Sequence, residues 1–458
     1  MNFRAAGMNC SKTVLEIINR KTIQNGSIIT RQWIVLMESS MKKSLWLAFL
    51  VVIITGCSNS TPEVNEPVYV DPGESYPLVF EDLPILGPYP FARVAAFGNA
   101  QCASIYVSDL DNDGDDDLVL SSEENNSINQ VYENTGGGVF RNTGDVLEFN
   151  DTGNPKLNFG LAVGDLNGDR LNDIAAADAW AGMNIYLNRG NLRFAWSQVY
   201  SFRGMLELKG VGIADLNKDG FADVVVGSHN GDNRGDRVLL NDGQGNLIDT
   251  RQSLNADVTW DIAMVDVNQD GASDFISVNR YAESAQKLNL NNGEGRFLPP
   301  VLLPDSVDDS ADIKCFTQGS YSYCFVANSW GFSKEGDYLG RDRYNREFVF
   351  NEKGELVQDI SFGEPYAETK DFCLVDFNGD GNLDLVSGNA NGPVVMNLST
   401  PSEDGLLLFG PDIPLFQIGH VSAIGCADFN GDGLVDFVVG DQQDSGPSQY
   451  VLLFGVGK

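Results

Sequence analysis

Histidine is nearly missing from this chain, with two in 458 residues. Positive charge is short as well: 30 Lys and Arg stand against 64 Asp and Glu, for a formal net charge of −34. The first shortage leaves little material for histidine acid–base chemistry, which needs convergent groups. The second argues against nucleic acid, whose phosphates call for a basic face. A soluble, self-repelling surface fits better. Long apolar runs are also lacking. The ten-residue stretch Leu45–Ile54 falls well short of the about 20 residues a membrane-spanning helix takes.

Aspartate is abundant, and it is patterned. Residues 109–120 read DLDNDGDDDLVL. Side-by-side carboxylates disfavour each other's charge unless a cation sits among them. Acids at positions 1, 3, 5 and 9, with glycine at 6 for the turn, are how a hard cation such as Ca²⁺ collects oxygen ligands. The first such set is Asp109, Asp111, Asp113 and Asp117. A second is Asp165, Asn167, Asp169 and Asp173, and a third is Asp215, Asn217, Asp219 and Asp223. Then come Asp266, Asn268, Asp270 and Asp274, followed by Asp376, Asn378, Asp380 and Asp384. Asp428, Asn430, Asp432 and Asp436 form the last. One copy reads equally well as a solvated acidic loop, but six do not. They predict about six Ca²⁺ sites, with Arg170 replacing the glycine in the second loop.

An EF-hand is excluded by what is missing. It needs a bidentate Glu at position 12 and flanking helices. That position holds Leu120, Ala176, Val226, Ser277, Ser387 and Val439. The flanks are β-formers such as VVVGS and FVVGD, which read as buried strands. Each loop therefore joins two strands. A second pair follows across an Asn/Gly turn, as in RVLLNDGQGNL at 237–247. The loops start 56, 50, 51, 110 and 52 residues apart, so one repeat of seven has lost its loop.

Four strands per period make a propeller blade. The repeats resemble the FG-GAP/VCBS family, the repeat of the integrin α-chain propeller, and Phe159-Gly160 in NFGLAVGDLNGD matches the dipeptide in its name. The resemblance implies an all-β, seven-bladed β-propeller with Ca²⁺ loops in six blades, and a ligand face opposite the cation loops. Blade five carries CFTQGSYSYC in place of its loop, and a Cys315–Cys324 disulfide is expected to close that hairpin. The last repeat lacks an outer strand; PLVFEDLP at 77–84 is expected to supply it and remove an open edge. Cys373 and Cys426 lie on opposite strand faces, where consecutive blades meet. Two readings stand for them: a bridge between blades six and seven, or buried free thiols.

Residues 41–56 read as a secretory signal, and ITGC resembles a bacterial lipobox with Cys57 as the lipidated residue. Residues 1–40 read as an over-extended start or an extension, 57–76 as a flexible tether, and 77–458 as the propeller. The expected location is the bacterial cell envelope, on the outer membrane, held through the lipid alone. Cysteine usage agrees with an oxidising compartment.

The cation loops share one rim, so function is expected on the other, where loops differ from blade to blade. That rim collects Trp180, His229, Arg280, Tyr281 and Trp330, with the 329–346 loop. Strand entries add Lys209, Trp260, Lys314, Lys370 and His420. The two tryptophans read equally as packing between blades, and the histidines as structural. The leading reading is a non-enzymatic binding or adhesion module for a glycan or an envelope protein. One alternative is a lyase of uronate polymers using His229, His420, Tyr281 and Arg280. The other is a structural subunit of an envelope complex.

Overall fold

The computed structural model describes residues 14–24, 27–37, 81–82, 88–97, 102–122, 129–146, 158–178, 182–200, 208–229, 235–252, 254, 258–280, 285–304, 306, 309–329, 344–442 and 449–456. The 41–76 region, Trp180, Tyr281 and Trp330 lie outside them. Two units are distinguished, Met1–Glu66 and Pro67–Lys458. In the first, Val14–Gln24 and Ser27–Met37 form an antiparallel hairpin.

The second unit is all-β, and its strands form seven antiparallel blades. Their inner strands begin with Cys102–Ser108, Asn158–Gly164, Leu208–Ala214 and Thr259–Val265. Ser310–Gln318, Thr369–Val375 and His420–Ala427 complete the set. Each packs against the next, and the seventh returns to the first, closing a ring around an axis. The second strand of each blade is covered on both faces by its neighbours. This is why these strands are continuous apolar runs, such as Val224, Val225 and Val226, rather than alternating ones.

Blade seven closes with a strand from the start of the unit. Phe91–Phe97 pairs antiparallel with Gln449–Gly455 as the outer strand. The 77–84 expectation is corrected here: within that segment only Glu81–Asp82 is a described strand, and it pairs with Phe91–Phe97 as a fifth strand. Aromatic packing holds Phe91–Phe97 in this place. Phe91 seats its ring 5.4 Å from Phe416 and 5.3 Å from Phe437, and Phe97 lies 5.0 Å from Tyr132 of blade one.

Blade five turns tightly at Gly319 and Ser320 between Ser310–Gln318 and Tyr321–Asn328. Cys315 and Cys324 face each other in register and are disulfide-bonded, with Cα atoms 4.2 Å apart. A second disulfide, Cys373–Cys426, ties the inner strands of blades six and seven, with Cα atoms 6.2 Å apart.

Candidate functional site

The six aspartate loops share one geometry. In each, the first Asp accepts the backbone N–H groups of positions 5 and 6, as Asp215 does from Asp219 at 3.2 Å and Gly220 at 2.9 Å. Positions 4 and 6 hold positive φ throughout. At position 6 five loops use glycine, and the second forces Arg170 to φ 70°. The ninth residue is buried and accepts two backbone N–H bonds. Asp223 takes them from Leu216 at 2.9 Å and Asn241 at 2.7 Å. The Asn241 amide then donates to the Leu166 carbonyl of the preceding blade's loop at 2.7 Å. Asn134, Asn188 and Asn291 repeat this clasp. Four of the loops thus stitch two blades together as well as turning the chain.

In the first loop three of the four expected carboxylates come together, without Asp113. Carboxylate oxygens of Asp109, Asp111 and Asp117 lie within 4.8 Å of one another. Asp111 Oδ1 is buried without a hydrogen-bond partner, an orphan that a cation would satisfy. Burial and the neighbouring Asp113 raise the Asp111 pKa. In the other loops Asn stands at position 3, removing one charge. In three of them its amide donates to the position 5 carboxylate: Asn217 to Asp219, Asn268 to Asp270 and Asn378 to Asp380.

The inner strands enclose a cavity of about 480 Å³ on the axis. It is reached by residues from the entry half of each strand. Lys209, Trp260, Arg280, Lys314 and Lys370 all line it, so five residues of the divergent rim converge. Lys209 is 4% exposed, and its Nζ lies 3.0 Å from the Trp260 ring centroid; Arg280 Cζ lies 3.7 Å from the same centroid. Trp260 is thereby the spine of a cation–π cluster. Arg280 also pairs with the buried Asp309 at 3.5 Å. His229 packs edge-on against Trp260, but it does not line the cavity. Burial, then Lys209 and Arg280, push its pKa down to about 3, so it is neutral and a weak base at pH 7. His420 opens the inner strand of blade seven and is not among the lining residues either.

The cavity floor was not anticipated from the sequence. Asp261, Asp312 and Asp371 occupy equivalent places on blades four, five and six, each just after a β-bulge. Each accepts a backbone N–H from the next blade: Ile313 to Asp261, Phe372 to Asp312 and Ile424 to Asp371. Lys314 sits among them, with Nζ 2.6 Å from Asp312 and 3.3 Å from Asp371. Its side chain is 40% exposed, through the channel. Burial opposes the Lys314 charge, but Asp312, Asp371 and Asp261 outweigh it and hold the pKa well above the usual value. Three carboxylates about one ammonium cannot all ionise cheaply. Burial and then Asp312 push the Asp261 pKa up to about 8, which favours its neutral form. Burial raises Asp371 to about 7 against the pull of Lys314. Tyr106 reaches the same group, its pKa raised by burial and then by Asp261.

The signal for these acids was their distance from the loops. Asp261 and Asp371 stand five residues before the first loop aspartate. The matching residues of the other looped blades are Ser104, Gly160, Gly210 and Ala423. A Cβ on Gly160 would meet the Lys209 carbonyl oxygen at 1.7 Å, which explains glycine at that place in blade two.

The FG-GAP-like repeat profile matches residues 109–176, 165–226, 215–277 and 342–439, more than half of the chain. The chain belongs to the FG-GAP-like repeat family. Three of the four FG-GAP-like windows run from the first aspartate of one loop to position 12 of the next, and the loop-less hairpin of blade five falls outside all four. No curated protein matches the chain. Among solved structures, it is similar to a chain described as BBS1N in complex with ARL6DN, soaked with lead. The identity is 14%, the TM-score 0.47, and the match covers 78% of this chain and 92% of that one. The same complex soaked with mercury matches at 14% identity and a TM-score of 0.44, with the same coverage.

Proposed function

We propose that this FG-GAP-like propeller is a non-catalytic binding module of the cell envelope that takes the anionic group of a glycan or envelope protein into its channel mouth. One observation carries the reading: in a chain of net charge −34, four cationic side chains converge on a single cavity. They face Asp261, Asp312 and Asp371, with Asp309 on Arg280, and burial pushes Asp261 and Asp371 toward their neutral forms. A locally positive pocket in an acidic protein focuses anions. The weak basicity of His229 and its place behind Trp260 favour binding over proton transfer.

The aspartate loops would hold Ca²⁺, the first through Asp109, Asp111, Asp113 and Asp117, and the others through the matching positions. The ion supplies stability to the rim opposite the ligand. The signal-like 41–56 segment and Cys57 support a lipid tether to the outer membrane.

Titration of the purified chain, in Ca²⁺, with uronate oligosaccharides and with acidic peptides tests the reading. Binding of either probe, weakened by Arg280→Ala and Lys370→Ala, is the expected result. New ultraviolet absorbance from unsaturated sugar would replace it with the lyase reading. Silence from every probe would refute an anion site.

A further inference from the structure

A second cleft, of about 280 Å³, opens between blades five and six, away from the axis. Its floor is neutral and polar. Asn345, Thr369 and Asn389 are buried and bonded in a chain. The Asn345 amide donates to Thr369 Oγ1 at 2.9 Å, and that hydroxyl donates to Asn389 Oδ1 at 2.8 Å. Ser387 lines the same cleft, is 2% exposed, and its hydroxyl has no hydrogen-bond partner. A buried hydroxyl left without a partner is destabilising, and a ligand group in the cleft would satisfy it. The rim carries Tyr366, 68% exposed, with Glu364, Asn391 and Asp412. Asp412 is fixed by the Asn397 amide at 2.8 Å.

We propose that this cleft is a separate binding site for a neutral pyranose unit of a glycan. The chemistry selects that class. Among the described residues lining the cleft there is no Lys or Arg, and two carboxylates guard it, so an anion is repelled. Carboxylate and amide oxygens accept from sugar hydroxyls, while Ser387 Oγ can both donate and accept. An exposed aromatic face covers the C–H side of a pyranose ring. The volume is near the small end of ligand pockets, about 300–1,000 Å³, which suits one or two sugar units.

The site is independent of the channel mouth, so the two are tested separately. Neutral mono- and disaccharides are titrated by calorimetry into the full chain in Ca²⁺, with Tyr366→Ala, Ser387→Ala and Arg280→Ala variants beside it. Tyr366 is exposed, so its removal should leave the melting temperature unchanged and keep the test independent of folding. At least one neutral sugar should bind, weakened about ten-fold by Tyr366→Ala and several-fold by Ser387→Ala, with Arg280→Ala unaffected. Absence of binding by every neutral sugar would overturn the proposal. So would neutral-sugar binding that survives Tyr366→Ala. Binding confined to acidic probes and lost in Arg280→Ala would overturn it too, while supporting the channel site.

Discussion

The two rims of the propeller solve opposite problems with the same residue. On the loop rim aspartate is repeated six times, and each copy is tied to backbone N–H groups of its own turn. Near the channel mouth aspartate occurs at one strand position in three adjacent blades and is tied to the next blade and to Lys314. Repetition marks a scaffold, because each blade needs the same turn. Asymmetry marks a site, because a ligand is met from one direction. Blades one to three place Ser104, Gly160 and Gly210 where blades four to six place acids. The channel is therefore polarised across the disc.

The comparison breaks most severely on the loop rim. Chelation in a thermal melt should lower the melting temperature by many degrees, through loss of native-state binding. An unchanged melting temperature would remove Ca²⁺ from the account. Asp223→Ala strands the amides of Leu216 and Asn241 in a buried place. It should cost about 2–5 kcal/mol in a denaturant titration and leave channel binding intact.

On the other rim, Lys314→Met leaves Asp312 and Asp371 without their shared cation. Because the lysine is partly reached by solvent, the loss should be about 1–3 kcal/mol rather than the full cost of breaking a buried pair. It should shrink as pH falls and Asp371 protonates.

The rims also separate by pH. Asp261 has a raised folded pKa, so the folded state binds a proton that the unfolded chain releases near pH 4. Its contribution is fully present below that pH and is lost as pH rises through about 8. Asp261→Asn cannot lose it, so the variant should gain on the parent between pH 5 and about 8, as followed by urea midpoints. A constant difference would show that Asp261 is ionised throughout. Smallest of all, Arg170→Gly should stabilise by about 1 kcal/mol, by relieving the positive φ of loop two.

Much of the scaffold was legible because it is local. The six loops, the seven repeats and the cysteines of the loop-less hairpin all lie within a few residues of each other. The closing strand was not. PLVFEDLP carries two prolines and two acids while FARVAAF is apolar at six of seven positions, and the rings of Phe91 and Phe97 pack against Phe416, Phe437 and Tyr132. The candidate site was half legible. The rim residues stood out by their diversity, but Asp261, Asp312 and Asp371 looked like ordinary strand acids. Their convergence depends on bulges that no residue pattern announces. The clasping asparagines were hidden for another reason: as part of an Asn/Gly turn they already had a sufficient local explanation.

Ring closure also imposes an order in time. The partner of Phe91–Phe97 is Gln449–Gly455, which is synthesised only after blades one to six. The first strand of the disc therefore waits, with its apolar face uncovered, while six blades are synthesised and stacked. Loop-closure entropy makes that final pairing slow, and an unpaired edge is open to other chains while it waits. Blades that dock onto their neighbours as they emerge shorten the risk but do not remove it. Assembly of this disc is governed by its last strand.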